Sequence, residues 1–286
     1  MNPYSYKPIL SNERVFEISE EVMRFIQDIL NDRKGFNLSP YKDKCIMRRI
    51  ATRIRTTQSD SAEAYANLLL SGDGELEILL KALTIHVSEF FRNPGTYFKL
   101  RDEIFPHLFD LCVKEGKKSL KLWSAGCSSG EEPYSLALVM KESFAAEMEQ
   151  LPCSIHATDV SSAVLEIAAK GIYAGERLKA IPPELKLRYF SSCGDNFKLL
   201  PSIREMVSFE QRDISDADSF PESDLIMCRN VLIYFERKHQ ERILKGFADA
   251  LPDGGILVLG KSESLLGETR KPFRTVCPVE KIYRKI

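Results

Sequence analysis

The chain has 286 residues, enough for about two domains, and its 44% hydrophobic and 28% charged content excludes a disordered or fibrous protein. A formal net charge of −1 removes any whole-molecule attraction to nucleic acid or anionic membrane, so charge-driven recognition must come from a local patch. Seven scattered cysteines, no two closer than Cys112 and Cys127, form no CxxC zinc knuckle or redox pair and predict free thiols, with no metal site.

MNPYSYKPILSNERVFE lacks the basic-then-apolar run of a signal peptide, and no apolar stretch reaches membrane-spanning length, so a cytoplasmic location is expected. Four helices are predicted first: SEEVMRFIQDILNDRKG, PYKDKCIMRRIATRIRTT, SAEAYANLLLSG and ELEILLKALTIH. In the first, Val22, Phe25, Ile26, Ile29 and Leu30 recur with helical periodicity, and Gly35 ends it after a basic turn. With β signals absent, residues 1–90 read as an all-helical N-terminal domain.

Beyond NPGTYFKLRDEIFPHLFDLCVKEGKK the pattern alternates. KLWSAG, SIHATD, MVSFEQRDI, SDLIMCRN and GGILVLG are strands, and GEEPYSLALVMKESF, SSAVLEIAAKG and ERKHQERILKGFADAL are helices; FRTV and EKIYRKI close the chain. Such alternation implies an α/β fold, a parallel Rossmann-like sheet covered on both faces, over residues 91–286. Residues 172–208, with Pro182 and Pro183, break the alternation and read as an inserted subdomain.

The segment Trp123–Tyr134 (WSAGCSSGEEPY) runs a strand through two glycines into a helix that opens on two glutamates and a proline. Glycine permits the tight turn and a close approach of backbone to ligand. First-turn glutamates suit the helix dipole but not a phosphate, so the loop fits a nucleoside with a cationic end better than a nucleotide. A plain strand-to-helix turn explains the loop alone equally well. Asp159 ends the next strand, where an acidic side chain can accept from ribose hydroxyls, and Asp213 ends a third, where it could accept from an adenine amine while Ile214 packs the ring. Turn or capping aspartates are the plainer alternative, though three acidic strand ends in series are harder to explain that way.

Together LWSAGCSSGEEPYS, the ATD at 157–159 and CRNVLIYF at 228–235 resemble the chemotaxis receptor glutamate methyltransferase family, CheR; SEFFR at 88–92 is similar to that family's interdomain segment. The resemblance covers roughly residue 15 to the C-terminus. It implies a class I methyltransferase sheet with a helical N-terminal domain and a small inserted β subdomain, S-adenosyl-L-methionine as cofactor and S-adenosyl-L-homocysteine as product. Carried over position by position, Arg92 would grip the methionine carboxylate, Glu132 its amino group, Asp159 the ribose, and Asp213 with Ile214 the adenine. His86 and Ser88 stand where the family commonly has asparagine and threonine, which leaves the role of His86 open. Arg229 and Asn230 would lie beside the cofactor, and Tyr234 near the transferable methyl, so Arg92 and Tyr234 are the expected catalytic residues. The implied acceptors are glutamates on the helical bundle of chemoreceptors. A glutamate is already a carboxylate at neutral pH, so no general base is needed, and His107, His156 and His239 read as structural or surface residues.

Lys42, Lys44, Arg48, Arg49, Arg53 and Arg55 crowd one predicted helix. A solvated face, a nucleic-acid patch and a docking face for an acidic coiled coil all remain open; the resemblance implies the last. Without interleaved aromatics there, and with CRNVLIYF where a base-amine methyltransferase carries its [DN]PPY motif, no nucleic-acid partner is expected. A monomer with no membrane insertion is the default. The turn at 191–196 and Pro201 further suggest that the insertion offers no open edge to a receptor tail peptide.

Overall fold

The computed structural model describes residues 18–84, 88–217 and 220–286. It divides into two units, the first ending at Leu83 and the second starting at Thr84.

Among the described residues the first unit holds four helices, α1 (Glu20–Lys34), α2 (Asp43–Thr56), α3 (Ala62–Ser71) and α4 (Asp73–Leu83). The caps that start and stop α1 are local: Ser19 Oγ accepts from Val22 N–H, Glu20 and Glu21 open it, and Gly35 closes it at φ 62°. Val22, Ile26, Ile29 and Leu30 are buried, but Phe25, expected on the same face, is 41% exposed.

The predicted basic patch on α2 needs correction. Ile46, Ile50 and Ile54 face the core, and Arg49 and Arg53 turn inward beside them. Arg49 donates to the Leu83 carbonyl. Arg53 makes a two-pronged contact with Glu75 of α4, 2.9 and 2.7 Å, and the buried Tyr65 donates to the same carboxylate at 2.8 Å. These two arginines therefore hold helices together. Only Lys44, Arg48 and Arg55 of the six cations are well exposed, with Met47 on the same outer side.

In the second unit α5 (Pro94–Lys99) passes through a π-turn at Leu100–Ile104 into α6 (Phe105–Lys114). There follow β1 (Leu120–Ala125), α7 (Glu131–Ser143), α8 (Ala145–Gln150), β2 (Cys153–Asp159) and α9 (Ser162–Lys170). β3 (Ile172–Ala174), α10 (Pro183–Tyr189), β4 (Phe190–Cys193), β5 (Asn196–Leu199) and α11 (Pro201–Arg204) come next. The chain ends with β6 (Val207–Gln211), β7 (Leu225–Cys228), α12 (Arg237–Ala250), β8 (Ile256–Leu259), β9 (Phe273–Cys277) and β10 (Ile282–Lys285).

Among the described residues seven strands form one sheet in the order β6-β2-β1-β7-β8-β10-β9. β6, β2, β1, β7 and β8 are parallel; β10 runs antiparallel to both β8 and β9, so the sheet is mixed and not wholly parallel. Its inner strands are buried on both faces, which explains the near-continuous apolar runs LIMC and ILVL. Strand order reverses between β1 and β7, and in such sheets a crevice opens there beyond the carboxyl ends of the strands.

Within 172–208 a second antiparallel sheet has the order β3-β5-β4. A two-residue turn at Gly194 and Asp195 joins β4 to β5. Pro201 opens α11 and lies outside this sheet, so it blunts no edge; β4 is an edge strand with Ser191, Ser192 and Cys193 exposed. Contrary to expectation, Pro201 does nothing to close this edge to an added strand.

Candidate active site

The loop after β1 follows its sequence closely. Gly126 and Gly130 take φ 76° and 93°, conformations open to glycine at little cost. A Cβ on Gly126 would stand 2.5 Å from Val231 Cγ2 in the loop after β7, so the two strand exits touch there. Asp159, buried at the end of β2, closes the loop from the other side: its carboxylate accepts from Ser128 N–H at 2.8 Å and Ser161 N–H at 3.1 Å. The Ser128 hydroxyl is buried with no hydrogen-bond partner among the described residues.

The two glutamates that open α7 differ. Glu131 is fully buried and faces Arg177 at 2.6 Å, with Ser129 Oγ donating to it; Tyr173 of β3 donates to the Ser129 carbonyl at 2.8 Å. Burial pushes the Glu131 carboxyl up, against the pull of Arg177, its own backbone N–H, Ser129 and Ser88. Glu131 therefore fastens the glycine loop to the inserted segment. Glu132 instead accepts from Ser124 Oγ at 2.9 Å and stands 3.5 Å from Arg229 Nη1, with its side chain 13% exposed. Burial pushes its carboxyl up to about 7, against the pull of Arg229, Ser124 and Arg92; the nearby Glu263 adds to the rise.

Arg229, just past β7, joins these parts. Its side chain is 2% exposed and donates to the Arg92 carbonyl at 2.7 Å and to Asn93 Oδ1 at 2.6 Å. Its guanidinium lies 5.9 Å from the centre of the Tyr97 ring. Phe91 and Asn93 take φ 52° and 59°, unusual for residues with side chains, and Phe91 N–H is held by Ser135 Oγ at 2.9 Å. The segment carrying Arg92 is thus pinned from α7 and from the β7 exit. Asn230 also has positive φ, 61°, and Tyr234 ends a single 3₁₀ turn.

Arg92, Glu132 and Arg229 thus come together, and Asp159 at the end of β2 holds the glycine loop through Ser128 N–H. Asp213 lies two residues past the end of β6, not at the strand end, and accepts from Ser215 N–H at 2.8 Å; Ile214 is buried. His86 falls outside the described residues. The sequence reading missed Arg177, Tyr97 and Glu263. No local spacing marks them, because each acts through a partner distant in sequence.

Residues 86–280 match the family described as "CheR methyltransferase, SAM binding domain", and residues 21–84 match "CheR methyltransferase, all-alpha domain". The chain belongs to the CheR methyltransferase family. It is 32% identical over 254 residues to a "Chemotaxis protein methyltransferase" of Borreliella burgdorferi, covering 87% of this chain and 89% of that protein. It is likewise 32% identical over 250 residues to one of Listeria innocua (87% and 92% covered). "Chemotaxis protein methyltransferase 2" of Pseudomonas aeruginosa is 31% identical over 267 residues, covering 91% of each. S-adenosylmethionine is accordingly the cofactor of this CheR-family chain. The residues present fit it: acidic groups at Glu132 and Asp159, a guanidinium at Arg92 and an unpaired buried hydroxyl at Ser128 complement an ammonium, ribose hydroxyls and a carboxylate.

Proposed function

We propose that this methyltransferase acts in chemotaxis and esterifies glutamate side chains on the helical signalling bundle of chemoreceptors. The reading is supported by the family membership, and one structural observation carries the choice of an acidic acceptor: the outer side of α2 exposes Lys44, Arg48 and Arg55. That surface complements an acidic coiled coil and replaces the wider Lys42–Arg55 patch.

When bound, the cofactor supplies a methyl group activated by a sulfonium. Arg92 holds its carboxylate by a guanidinium fork and Glu132 its ammonium. Asp159 accepts from the ribose, Asp213 and Ile214 receive the adenine, and Asn230 and Tyr234 flank the sulfonium side. An acceptor glutamate is ionised at neutral pH, so the protein's task is to orient it in line and keep water out. Incubation with methyl-labelled cofactor and receptor cytoplasmic fragments should give label released as methanol in base. Base-stable label would overturn the ester assignment.

Reversing Lys44, Arg48 and Arg55 to glutamate together should slow receptor methylation about tenfold at low salt and leave cofactor affinity unchanged, the wild-type rate itself falling as salt rises. Equal rates for both proteins across a salt series would assign this side of α2 to solvent.

The raised carboxyl of Glu132 gives the cofactor step a pH signature. Below about 7 the free enzyme holds a proton there, which an arriving ammonium must displace. Affinity for S-adenosylmethionine should therefore climb with pH, up to tenfold per unit between about 5 and 7, then level off. Stability of the free enzyme runs the opposite way. A carboxyl whose folded-state value lies above its unfolded one stabilises most at low pH, and roughly 3 kcal/mol is lost as pH rises from about 4.3 to about 7, with no further change above. Calorimetry on Glu132→Gln should give a flat affinity profile; an unchanged slope in that variant would place the proton elsewhere.

A further inference from the structure

Parallel strands lose their ladder partners where they end, and any backbone N–H buried at that point needs another acceptor. β7 and β8 end side by side, Cys228 opposite Leu259, and their chains then diverge into 229–232 and 260–263. One side chain serves both exits. Glu263, 5% exposed, accepts from Asn230 N–H at 2.9 Å, Val231 N–H at 2.9 Å, Leu232 N–H at 2.7 Å and Gly260 N–H at 2.7 Å. The approach is so close that a Cβ on Gly260 would come within 2.6 Å of Glu263 Oε2 and 2.8 Å of Asn230 N.

We infer that Glu263 is a positioning residue for methyl transfer, its carboxylate anchoring the β7 exit loop so that Tyr234 is presented to the reacting groups. With two N–H donors on each oxygen, the carboxylate has no lone pair directed at a substrate, so it acts only through the loop. Three of its four bonds lie at the start of the 3₁₀ turn Leu232–Tyr234, the place where a helix terminus leaves N–H groups unpaired and an anion is favoured. They also hold Asn230 at its positive φ. Arg229 leans the other way, toward Arg92 and Asn93, and its contacts do not involve Glu263. Loss of the anchor should therefore disturb Tyr234 more than the cofactor clamp.

The inference rests on the proposed place of Tyr234 beside the methyl, and the test separates the two. Glu263→Gln keeps the shape but turns an amide NH₂ toward N–H donors, so one oxygen's pair of bonds is lost. Three quantities are measured: amide hydrogen exchange at Asn230, Val231, Leu232 and Gly260, cofactor affinity by calorimetry, and turnover with whichever acceptor the wild type methylates. The expected result is exchange at those amides at least tenfold faster, turnover at least tenfold lower, and cofactor affinity within threefold. Unchanged exchange would overturn the anchoring, and faster exchange with wild-type turnover would overturn its link to transfer. A failure of Tyr234 itself shows separately, as a Tyr234→Phe and Tyr234→Ala pair with wild-type turnover. If Glu263→Gln does not fold, Glu263→Asp, which keeps the charge and shortens the reach by one methylene, is read by the same three measurements.

Discussion

In an Arg229→Ala variant, affinity for S-adenosylmethionine should fall about a hundredfold near neutral pH, with a marked loss of stability. Arg229 is a buried guanidinium with three clients: the Arg92 carbonyl, the Asn93 side chain and the Glu132 carboxylate. Without it the 91–93 segment loses two bonds that support two positive-φ residues, and Arg92 is no longer held where a carboxylate can be gripped. Glu132 also loses its nearest counter-charge, so its carboxyl, already pushed up to about 7, moves higher and is largely protonated at neutral pH. Each lost charge-assisted contact costs about 1.5–3 kcal/mol, and one decade of affinity is about 1.4 kcal/mol, so two decades is the modest expectation. Removing one partner of a buried ion pair also lowers unfolding free energy by about 3–5 kcal/mol. Arg229→Lys, which keeps the charge but not the planar fork, should fall between. Calorimetry giving wild-type affinity for Arg229→Ala would remove Arg229 from the clamp.

Arg53→Glu should be the most destabilising single change in the helical unit, about 3–5 kcal/mol. It sets a second carboxylate against Glu75, which is only 11% exposed and already accepts from Tyr65. Against a total of about 5–15 kcal/mol for a domain, such a loss leaves a substantial unfolded fraction at ordinary temperature. Arg48→Glu, on the exposed side of the same helix, should change stability by less than about 0.5 kcal/mol. The pair Arg53→Met with Glu75→Gln should recover most of the loss, because no unpaired charge then remains buried. Chemical unfolding curves that superimpose for Arg53→Glu and Arg48→Glu would show that the Arg53–Glu75 contact contributes nothing.

These two arginines also mark where the sequence stops being readable. Apolar periodicity found the helices and the parallel strands, since burial of one face is written at fixed spacing in the chain itself. The strand-glycine-helix motif with its two glutamates gave the loop, because the φ values there demand glycine. Arg49 and Arg53 looked like a docking patch: a long cation flanking an isoleucine stripe can snorkel outward or turn in, and the partner that decides, Glu75, lies on another helix. The same applies to Glu131 and Glu132, adjacent and alike in sequence. Arg177 from the inserted segment claims one and Arg229 from the β7 exit the other. Glu263 sits in an unremarkable GKSES turn, and its importance lies in four N–H groups, three of them more than thirty residues away.

The way the β7 exit is fastened bears on the order in which the enzyme becomes competent during synthesis. A nascent chain can assemble β1, the glycine loop and β2 once residue 159 has emerged, and N-terminal portions generally fold first on the ribosome. Yet the segment around Arg92, held early by Ser135 of α7, gains its support from Arg229 only later, and the loop bearing Tyr234 is fastened from residue 263, close to the last strands. Chains cut short before those points would carry the glycine loop, Asp159, Arg92 and Glu132 but lack the Arg229 contacts that support Arg92 and pair with Glu132. Truncated products would thus leave the cellular cofactor pool untouched, and retention of a ribosome-bound chain on an S-adenosylhomocysteine resin would report how much of it has been translated.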